Sequence, residues 1–331
     1  MFDLLPNVWT PVLPIAEIEN QPVAVALAGE RIVLFRNSKD EIGALLDRCP
    51  HRGAALSLGR VSADGCLECP YHGWQFHKDG ACTHVPLNNP ADLQLSKLSA
   101  VSLPTRIIAG LVWVFTGEGE APEPQLPDSL TQLPPVGYAN AESYFIYHEV
   151  WNAHWTRIVE NLMDYVHVPF VHRNSFGSEI VKNATPAGSF VEFKITQTEH
   201  SVQFFNRLHS IESGLEIEPG LGSEWYQPNL VVLKFDEMGI PIRMHSFAIP
   251  IDRDRSRYLL VFQLLAPDTV EVAKEFISPI VEDRVTIESQ VGEIPTTTEE
   301  CNVPSDRATL LFRRWYHQTI VKLPRHVSIL R

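Results

Sequence analysis

Four metal-binding side chains stand in two short clusters between residues 49 and 74. Cys49 and His51 are separated by one residue, Cys69 and His72 by two, and seventeen residues lie between the clusters. Two cysteines and two histidines with this spacing form a ligand set and not part of a hydrophobic core. The chain must therefore fold so that two loops each present one cysteine and one histidine to a shared metal site.

Two kinds of metal site use this ligand set. A Rieske [2Fe–2S] centre binds one iron with two cysteines and the other with two histidines. A tetrahedral zinc site also accepts the set, and Cys66 forms a C-x2-C pair with Cys69. The intervening residues lack a second C-x2-C or a histidine pair at finger spacing, which disfavours zinc. Pro50 and Pro70 fix the backbone after each cysteine, and Gly73 allows close backbone approach to a cluster.

The segments CPHRG and CPYHGW resemble the Rieske motif of the Rieske-type non-haem iron oxygenases. The resemblance implies one [2Fe–2S] cluster per chain. Its ligands would be Cys49, His51, Cys69 and His72.

Composition narrows the class of protein. The chain has 331 residues, 44% of them hydrophobic, and a net charge of −13, which argues against a nucleic-acid or anionic-membrane partner. Its first residues have no basic segment before an apolar run and do not read as a signal peptide. The longest apolar run, residues 107–115, is far shorter than the ~20 residues that span a bilayer. We expect a cytoplasmic protein without a disulfide framework.

The chain divides at a proline-rich stretch. Short β-branched runs in residues 22–46 predict antiparallel strands of a small β-domain, and the run at 107–115 predicts its last strand. Residues 117–135 hold five prolines and four acidic residues with no apolar period, which is typical of a linker. We predict a Rieske domain at residues 1–118, a linker at 119–135 and a catalytic domain at 136–331.

Residues 151–172 are the second informative stretch. Apolar side chains recur with helical spacing, which predicts that one helix face packs on a core; they are Trp151, Trp155, Ile158 and Leu162. Asn161, Asp164 and His167 fall near one another on a different side of that helix.

His167 and His172 are five residues apart and would point away from each other on a regular helix. Pro169 lies between them and is expected to break the helix, so that His172 can approach His167. The segment NLMDYVHVPFVH resembles the N-x2-D-x2-H-x4-H segment that binds mononuclear iron in Rieske oxygenases. The resemblance implies that both histidines bind Fe(II) and that Asn161 lies near the iron or the substrate.

A facial triad needs one carboxylate besides two histidines. Glu282, Asp283 and Glu288 are candidates in residues 269–290, a helical pattern interrupted near Pro279, and spacing alone does not rank them. The segment EDRVTIESQ is similar to the family's C-terminal segment, in which the aspartate binds iron. The resemblance thus assigns Asp283, and we expect Glu282 and Glu288 to be solvated helix charges.

The part of the chain after the iron-binding segment alternates strand-like runs with turns. These runs predict a meandering antiparallel sheet, with residues 210–228 as a long irregular loop of the kind that is either a lid or a mobile segment. The resemblance implies an α+β fold: an all-β Rieske domain followed by a helix-grip domain, in which a curved antiparallel sheet wraps a long helix.

The resemblance also implies partners. The chain has no dinucleotide fingerprint, so NAD(P)H and flavin are expected on a separate reductase, acting directly or through a ferredoxin. In the family, the aspartate matching Asp164 joins the first iron histidine, here His167, to the second Rieske histidine of a neighbouring subunit, here His72. A head-to-tail homotrimer follows.

The activity implied by the resemblance is that of a terminal oxygenase, which uses O2 to hydroxylate or oxidatively demethylate an aromatic or heterocyclic small molecule. One alternative is a dioxygenase that forms a cis-diol. Another is an electron carrier without a working mononuclear iron, and a zinc-structured scaffold is the last. Strand registers cannot be read well enough from the sequence to name the substrate pocket.

Overall fold

The computed structural model describes residues 1–134, 143–175, 177, 188–296 and 298–321. The chain forms two compact units, Met1–Pro124 and a second that begins at Gln125. The border between them falls inside the predicted linker. The predicted start of the catalytic domain, residue 136, lies outside the described residues.

The first unit is built from antiparallel strands, as predicted. Its strands are β1 (Trp9–Pro14), β2 (Val23–Leu27), β3 (Glu30–Arg36), β4 (Ile42–Leu46), β5 (Arg60–Val61), β6 (Leu67–Glu68), β7 (Gln75–Phe76), β8 (Cys82–His84), β9 (Thr105–Ile108) and β10 (Leu111–Phe115). They form three sheets, ordered β1-β10-β9, β2-β3-β4 and β5-β6-β7-β8.

The apolar run at residues 107–115 was predicted as one strand and is instead a hairpin of β9 and β10. The chain reverses at Ala109 and Gly110, whose φ angles are +51° and +71°. Two positive φ angles in a two-residue connection suit the right-handed twist of the flanking strands. An alanine in that position gives little sign of a turn, so the sequence run looked continuous.

One hydrophobic cluster of this unit contains the two ligand cysteines. Fully buried apolar side chains from three strands, Phe35, Leu67 and Phe76, pack with the buried Cys49 and Cys69. The two cysteines therefore sit where packing is tight and side chains hold fixed positions.

The second unit is a seven-stranded antiparallel sheet with helices. The strands are β11 (Tyr144–Trp151), β12 (Ser189–Gln197), β13 (Ser201–Ser210), β14 (Glu216–Tyr226), β15 (Leu230–Lys234), β16 (Ile242–Pro250) and β17 (Ser256–Leu264), in the order β11-β17-β16-β15-β14-β13-β12. The helices are α1 (Asp128–Thr131), α2 (Trp155–Met163), α3 (Val168–Val171), α4 (Val270–Glu275), α5 (Ile277–Ile287) and α6 (Arg307–Tyr316). The predicted α+β class with a sheet-rich second domain is confirmed.

The predicted lid loop at residues 210–228 is wrong, because most of it is strand β14. Two glycines hid the strand pattern. An added Cβ at Gly220 would lie 2.0 Å from the backbone oxygen of Asn206, and one at Gly222 would lie 2.0 Å from Glu237 Oε2. A glycine inside a strand commonly marks such a close approach.

The prediction for residues 151–172, a helix broken at Pro169, is corrected in two places. Trp151 ends strand β11, and the helical turns α2 and α3 are separated by residues 164–167. The break therefore precedes Pro169, which occupies the first turn of α3. Proline is tolerated there because the first backbone N–H groups of a helix have no partner within the helix.

None of the helices in the described part of the chain is long and apolar enough to cross a bilayer.

Candidate functional site

The two ligand loops, residues 49–54 and 69–74, share one backbone geometry. Cys49 N donates to Ala54 O at 2.8 Å, and the Cys49 carbonyl accepts from Gly53 N at 2.9 Å; around Cys69 the equivalent distances are 2.8 and 3.0 Å. Gly53 and its counterpart Gly73 have φ angles of +73° and +70°, a conformation that glycine adopts without strain. The repeated turn explains why each loop presents its cysteine inward.

The donors of these loops fit an iron–sulfur cluster. Cys49 and Cys69 are 2% and 1% exposed, and burial together with the neighbouring Cys69 thiol raises the pKa of Cys49 to about 11. The rings of His51 and His72 lie 4.6 Å apart, and His51 Nδ1 is buried without a hydrogen-bond partner. A buried unsatisfied nitrogen is costly, and binding iron would satisfy it.

The aromatic neighbours of the two histidines differ in exposure. Trp74 stacks on His51 with ring centroids 4.5 Å apart, and Tyr71 stacks on His72 at 3.8 Å. Tyr71 and His72 are exposed, whereas His51 is half-buried. His72 therefore forms the outer edge of this site.

In the second unit, the side chains of His167, His172 and Asp283 converge; these three residues are called the triad below. One ligand atom from each lies within 4.8 Å of the others. Asp283 Oδ1 is 3.4 Å from His167 Nε2 and 3.3 Å from His172 Nε2. The two histidines flank the single turn of α3, and α5 supplies the aspartate.

The charges of the triad complement one another. Burial lowers the pKa of His167, but the carboxylates of Asp164 and Asp283 outweigh it and raise the pKa to about 9. Burial raises the pKa of Asp283, and contact with the two histidines lowers it to about 2. In the metal-free chain a proton therefore provides positive charge that a bound cation could replace.

Two observations fit the triad to a metal ion. Two histidines and one carboxylate form the donor set of non-haem iron sites with open positions. His167 and His172 each direct Nε2 at the same Asp283 oxygen, at 3.4 and 3.3 Å, so the three donors meet around one point.

Asn161 and Asp164 both border the triad. Asn161 Nδ2 donates to Asp283 Oδ1 at 3.3 Å, so it contacts the carboxylate directly. Asp164 ends α2, and its Oδ1 accepts from Val166 N at 2.8 Å. This contact holds Asp164 beside His167 with 37% of its side chain exposed.

Glu282 is not the solvated charge that we predicted. Its Oε2 lies 2.9 Å from His172 Nδ1 and accepts from Ser175 Oγ at 2.9 Å. Metal-binding histidines usually give their second nitrogen to such a carboxylate, and this requirement was a signal that sequence reasoning could have used. Glu288 is also engaged, since its Oε1 accepts from Asn152 N at 2.8 Å and from Arg284 Nε at 2.9 Å.

A cavity of about 140 Å³ opens onto the triad. Its described walls are mainly apolar and come from the β15–β16 region and α5, with Leu233, Met244 and Ile280 among them. Leu233 and Met244 were missed because which face a strand residue occupies depends on register.

The chain is similar to known protein families over both of its units. Residues 8–104 match the family described as Rieske [2Fe-2S] domain, and residues 151–322 match the vanillate O-demethylase oxygenase C-terminal domain. The chain belongs to the Rieske oxygenases. The predicted Rieske domain is confirmed over the zinc alternatives, and with it the [2Fe–2S] cluster that this domain carries.

Similar Rieske oxygenases differ in how much of their length aligns. Chlorophyllide a oxygenase of Chlamydomonas reinhardtii is 37% identical over 57% of this chain and 27% of that protein. The 5,5'-dehydrodivanillate O-demethylase oxygenase subunit of Sphingobium sp. is 34% identical over 53% and 40%. The chain thus spans less than half of these two curated relatives. Methylxanthine N1-demethylase NdmA of Pseudomonas putida is 27% identical over 96% of this chain and 89% of that protein.

Solved structures share the fold over 95% of the chain. The structure of dicamba monooxygenase bound to dicamba has a TM-score of 0.71 at 20% identity and covers 95% of this chain and 97% of that one. The Pseudomonas putida NdmA structure has a TM-score of 0.66 at 25% identity, covering 95% and 90%.

Proposed function

We propose that this chain is the terminal oxygenase component of a Rieske system and monooxygenates an aromatic or heterocyclic small molecule, by hydroxylation or oxidative demethylation. The observation that carries the proposal is the convergence of the triad at the wall of an apolar cavity. A carboxylate and two imidazoles placed beside space for an apolar molecule suit O2 chemistry on that molecule.

The ligand assignments belong to this proposal. The four donors of the ligand loops would hold the [2Fe–2S] cluster: Cys49, His51, Cys69 and His72. The triad would hold one Fe(II). When bound, the cluster supplies single electrons and the ferrous ion supplies O2 activation.

The side chains around the triad have separable tasks. Asn161 fixes the Asp283 carboxylate by donating to it, and Glu282 fixes the ring of His172. Tyr258 lines the cavity, and burial strongly raises its pKa, so its hydroxyl keeps its proton. The apolar walls exclude water from the space where a substrate would lie.

Monooxygenation is favoured over cis-dihydroxylation by the relatives. NdmA, an N-demethylase by name, aligns over nearly the whole chain, whereas the 3-chlorobenzoate-3,4-dioxygenase oxygenase subunit of Comamonas testosteroni aligns over 56% of it. Mass analysis of products formed under 18O2 separates the two reactions, because a cis-diol carries two labelled atoms and a monooxygenation product at most one.

Electrons must reach the chain from a partner. We propose a separate cytoplasmic reductase carrying flavin and using NAD(P)H, with or without a ferredoxin, and a head-to-tail homotrimer in which Asp164 contacts His72 of the neighbouring copy. The exposure of His72 and the partial exposure of Asp164 support this contact.

We also propose that the chain is divided into a Rieske domain at residues 1–118, a linker at 119–135 and a catalytic domain at 136–331.

The bridging role predicts a specific variant. Asp164→Asn should leave three irons per chain but nearly abolish coupled turnover, because the amide lacks the charge that links the two histidines. Iron content, the reduced-cluster EPR signal and product formed per NAD(P)H oxidised measure this. Asp236→Asn, a change at a carboxylate paired with Arg243, is the matched control. Full coupled activity in Asp164→Asn would remove the bridge from the proposal.

The second iron is tested without any substrate. Anaerobically reduced protein exposed to nitric oxide should give the EPR signal of a high-spin ferrous nitrosyl, and Asp283→Ala should lose it while keeping the cluster signal. Two irons per chain and no nitrosyl signal in wild-type protein would favour the electron carrier.

A further inference from the structure

The charge of the cavity walls restricts what the proposed oxygenase can bind. Among the described residues that line the cavity, none is a lysine or an arginine, and the only imidazoles are those of the triad. A divalent ion on the triad would be balanced by the carboxylates of Asp283 and Asp164, which both line the cavity. An anionic substrate would therefore find no free positive charge on these walls.

Nearby cations are directed away by strand alternation. Leu233 lies opposite Met244 in the β15–β16 pair, and the next pair is Lys234 opposite Arg243. Successive side chains of a strand point to opposite faces. Leu233 and Met244 line the apolar cavity, whereas Lys234 and Arg243 line a separate polar cavity.

Both of these cations already have partners on their own face. Lys234 Nζ lies 3.1 Å from Glu224 Oε2. Arg243 donates from Nε and Nη2 to the two carboxylate oxygens of Asp236, at 2.9 and 2.7 Å. To reach the apolar cavity, either side chain would have to leave its ion pair and move to the opposite face of its strand. Neither cation can therefore pair with a substrate carboxylate in the apolar cavity.

The volume of the cavity and the side chains of its wall restrict the size and polarity of the ligand further. A cavity of about 150 Å³ lined by leucine, isoleucine and phenylalanine binds benzene, and this cavity measures about 140 Å³. Phe235 and Phe276 lie on its wall with ring centroids 4.5 Å apart, and Met238 and Met244 add adaptable, polarizable surface.

We propose that the substrate is a neutral, apolar compound with one ring, and that the site rejects carboxylates of the same shape. The inference rests on the proposed function, since it names the substrate class of that site. Burying a carboxylate without a partner is costly, so charge and not shape makes the distinction.

Nitrobenzene and benzoate test this, because the nitro group matches a carboxylate in shape but not in charge. Calorimetric titration of the anaerobic Fe(II)-loaded protein should show nitrobenzene binding at least ten-fold more tightly. Met244→Arg should reverse the order by placing a cation in the cavity, whereas Arg243→Gln, on the opposite face, should not. Benzoate binding as tight as nitrobenzene in the wild type, or no nitrobenzene binding, would overturn the inference.

Failure of this inference is distinguishable from failure of the proposed function. Calorimetry needs no turnover, so nitrobenzene binding without a nitrosyl signal would contradict the oxygenase and not the ligand class. A nitrosyl signal with preferred benzoate binding would contradict the ligand class alone.

Discussion

Removing the Glu282 carboxylate should weaken metal binding at the triad without unfolding the chain. Its Oε2 lies 2.9 Å from His172 Nδ1, and the same oxygen accepts from Ser175 Oγ. These contacts set the ring orientation and leave Nε2 directed at Asp283, 3.3 Å away. Glu282→Ala removes the acceptor, whereas Glu282→Gln removes the charge and keeps an oxygen that can accept.

The magnitude follows from the kind of contact. A hydrogen bond to a charged group contributes about 1.5–3 kcal/mol, and losing an outer carboxylate beside a metal ligand typically lowers metal affinity 10–100-fold, or about 1.4–2.7 kcal/mol. The Glu282 side chain is 25% exposed, so we expect about 30-fold weaker binding for Glu282→Ala and less for Glu282→Gln.

Competition against a chelator of known affinity measures the effect, with Co(II) as a spectroscopic substitute for Fe(II). Glu271→Ala is the matched control, since Glu271 is an exposed helix glutamate paired only with Lys274 among the contacts described. Co(II) affinity of Glu282→Ala within two-fold of the wild type would show that His172 needs no orienting carboxylate, and the reasoning would be refuted.

Two further predictions concern stability. Burial lowers the pKa values of His154 and His245 to about 4. In the unfolded chain both pKa values lie near 6.5, so below pH 6.5 the unfolded chain binds more protons than the folded one. Lowering the pH from 7.5 to 5 should therefore reduce the unfolding free energy by about 2 kcal/mol for each histidine. Urea unfolding at both pH values checks this, and a pH-independent midpoint would contradict it; His245→Gln should show a smaller loss. Gly220→Ala should lower the unfolding free energy by about 1–3 kcal/mol, because its Cβ would overlap the Asn206 oxygen. An unchanged melting temperature would contradict the geometry of strand β14.

The features predicted correctly are those that depend on residues close together in the sequence. The two ligand loops each fit within six residues, and their cysteines, histidines and glycines reveal the turn that holds them. The antiparallel strands of both units follow from β-branched runs between turn residues. Local patterns of this kind need no knowledge of distant contacts.

Features that depend on long-range contacts could not be predicted from the sequence. Glu282 and His172 are 110 residues apart, and nothing in the helical spacing of α5 distinguishes Glu282 from an exposed glutamate. The cavity was hidden for a related reason. Whether Met244 or Arg243 faces it depends on how β16 pairs with β15, and a shift by one residue would exchange them.

The break between α2 and α3 shows how a local backbone feature and long-range contacts together build the triad. On a continuous helix, at about 100° per residue, His167 and His172 would point about 140° apart. Asp164 instead leaves the helix with φ −93° and ψ 126° and caps Val166 N with its own carboxylate. The extended backbone at Asp164 re-aims the chain, α3 starts anew at Val168, and both imidazoles reach one aspartate oxygen. The residue proposed to pass electrons is thus also the residue at which the helix ends, so Asp164→Asn, which can still accept from Val166 N, is a better test of electron transfer than Asp164→Ala, which would also disturb the triad.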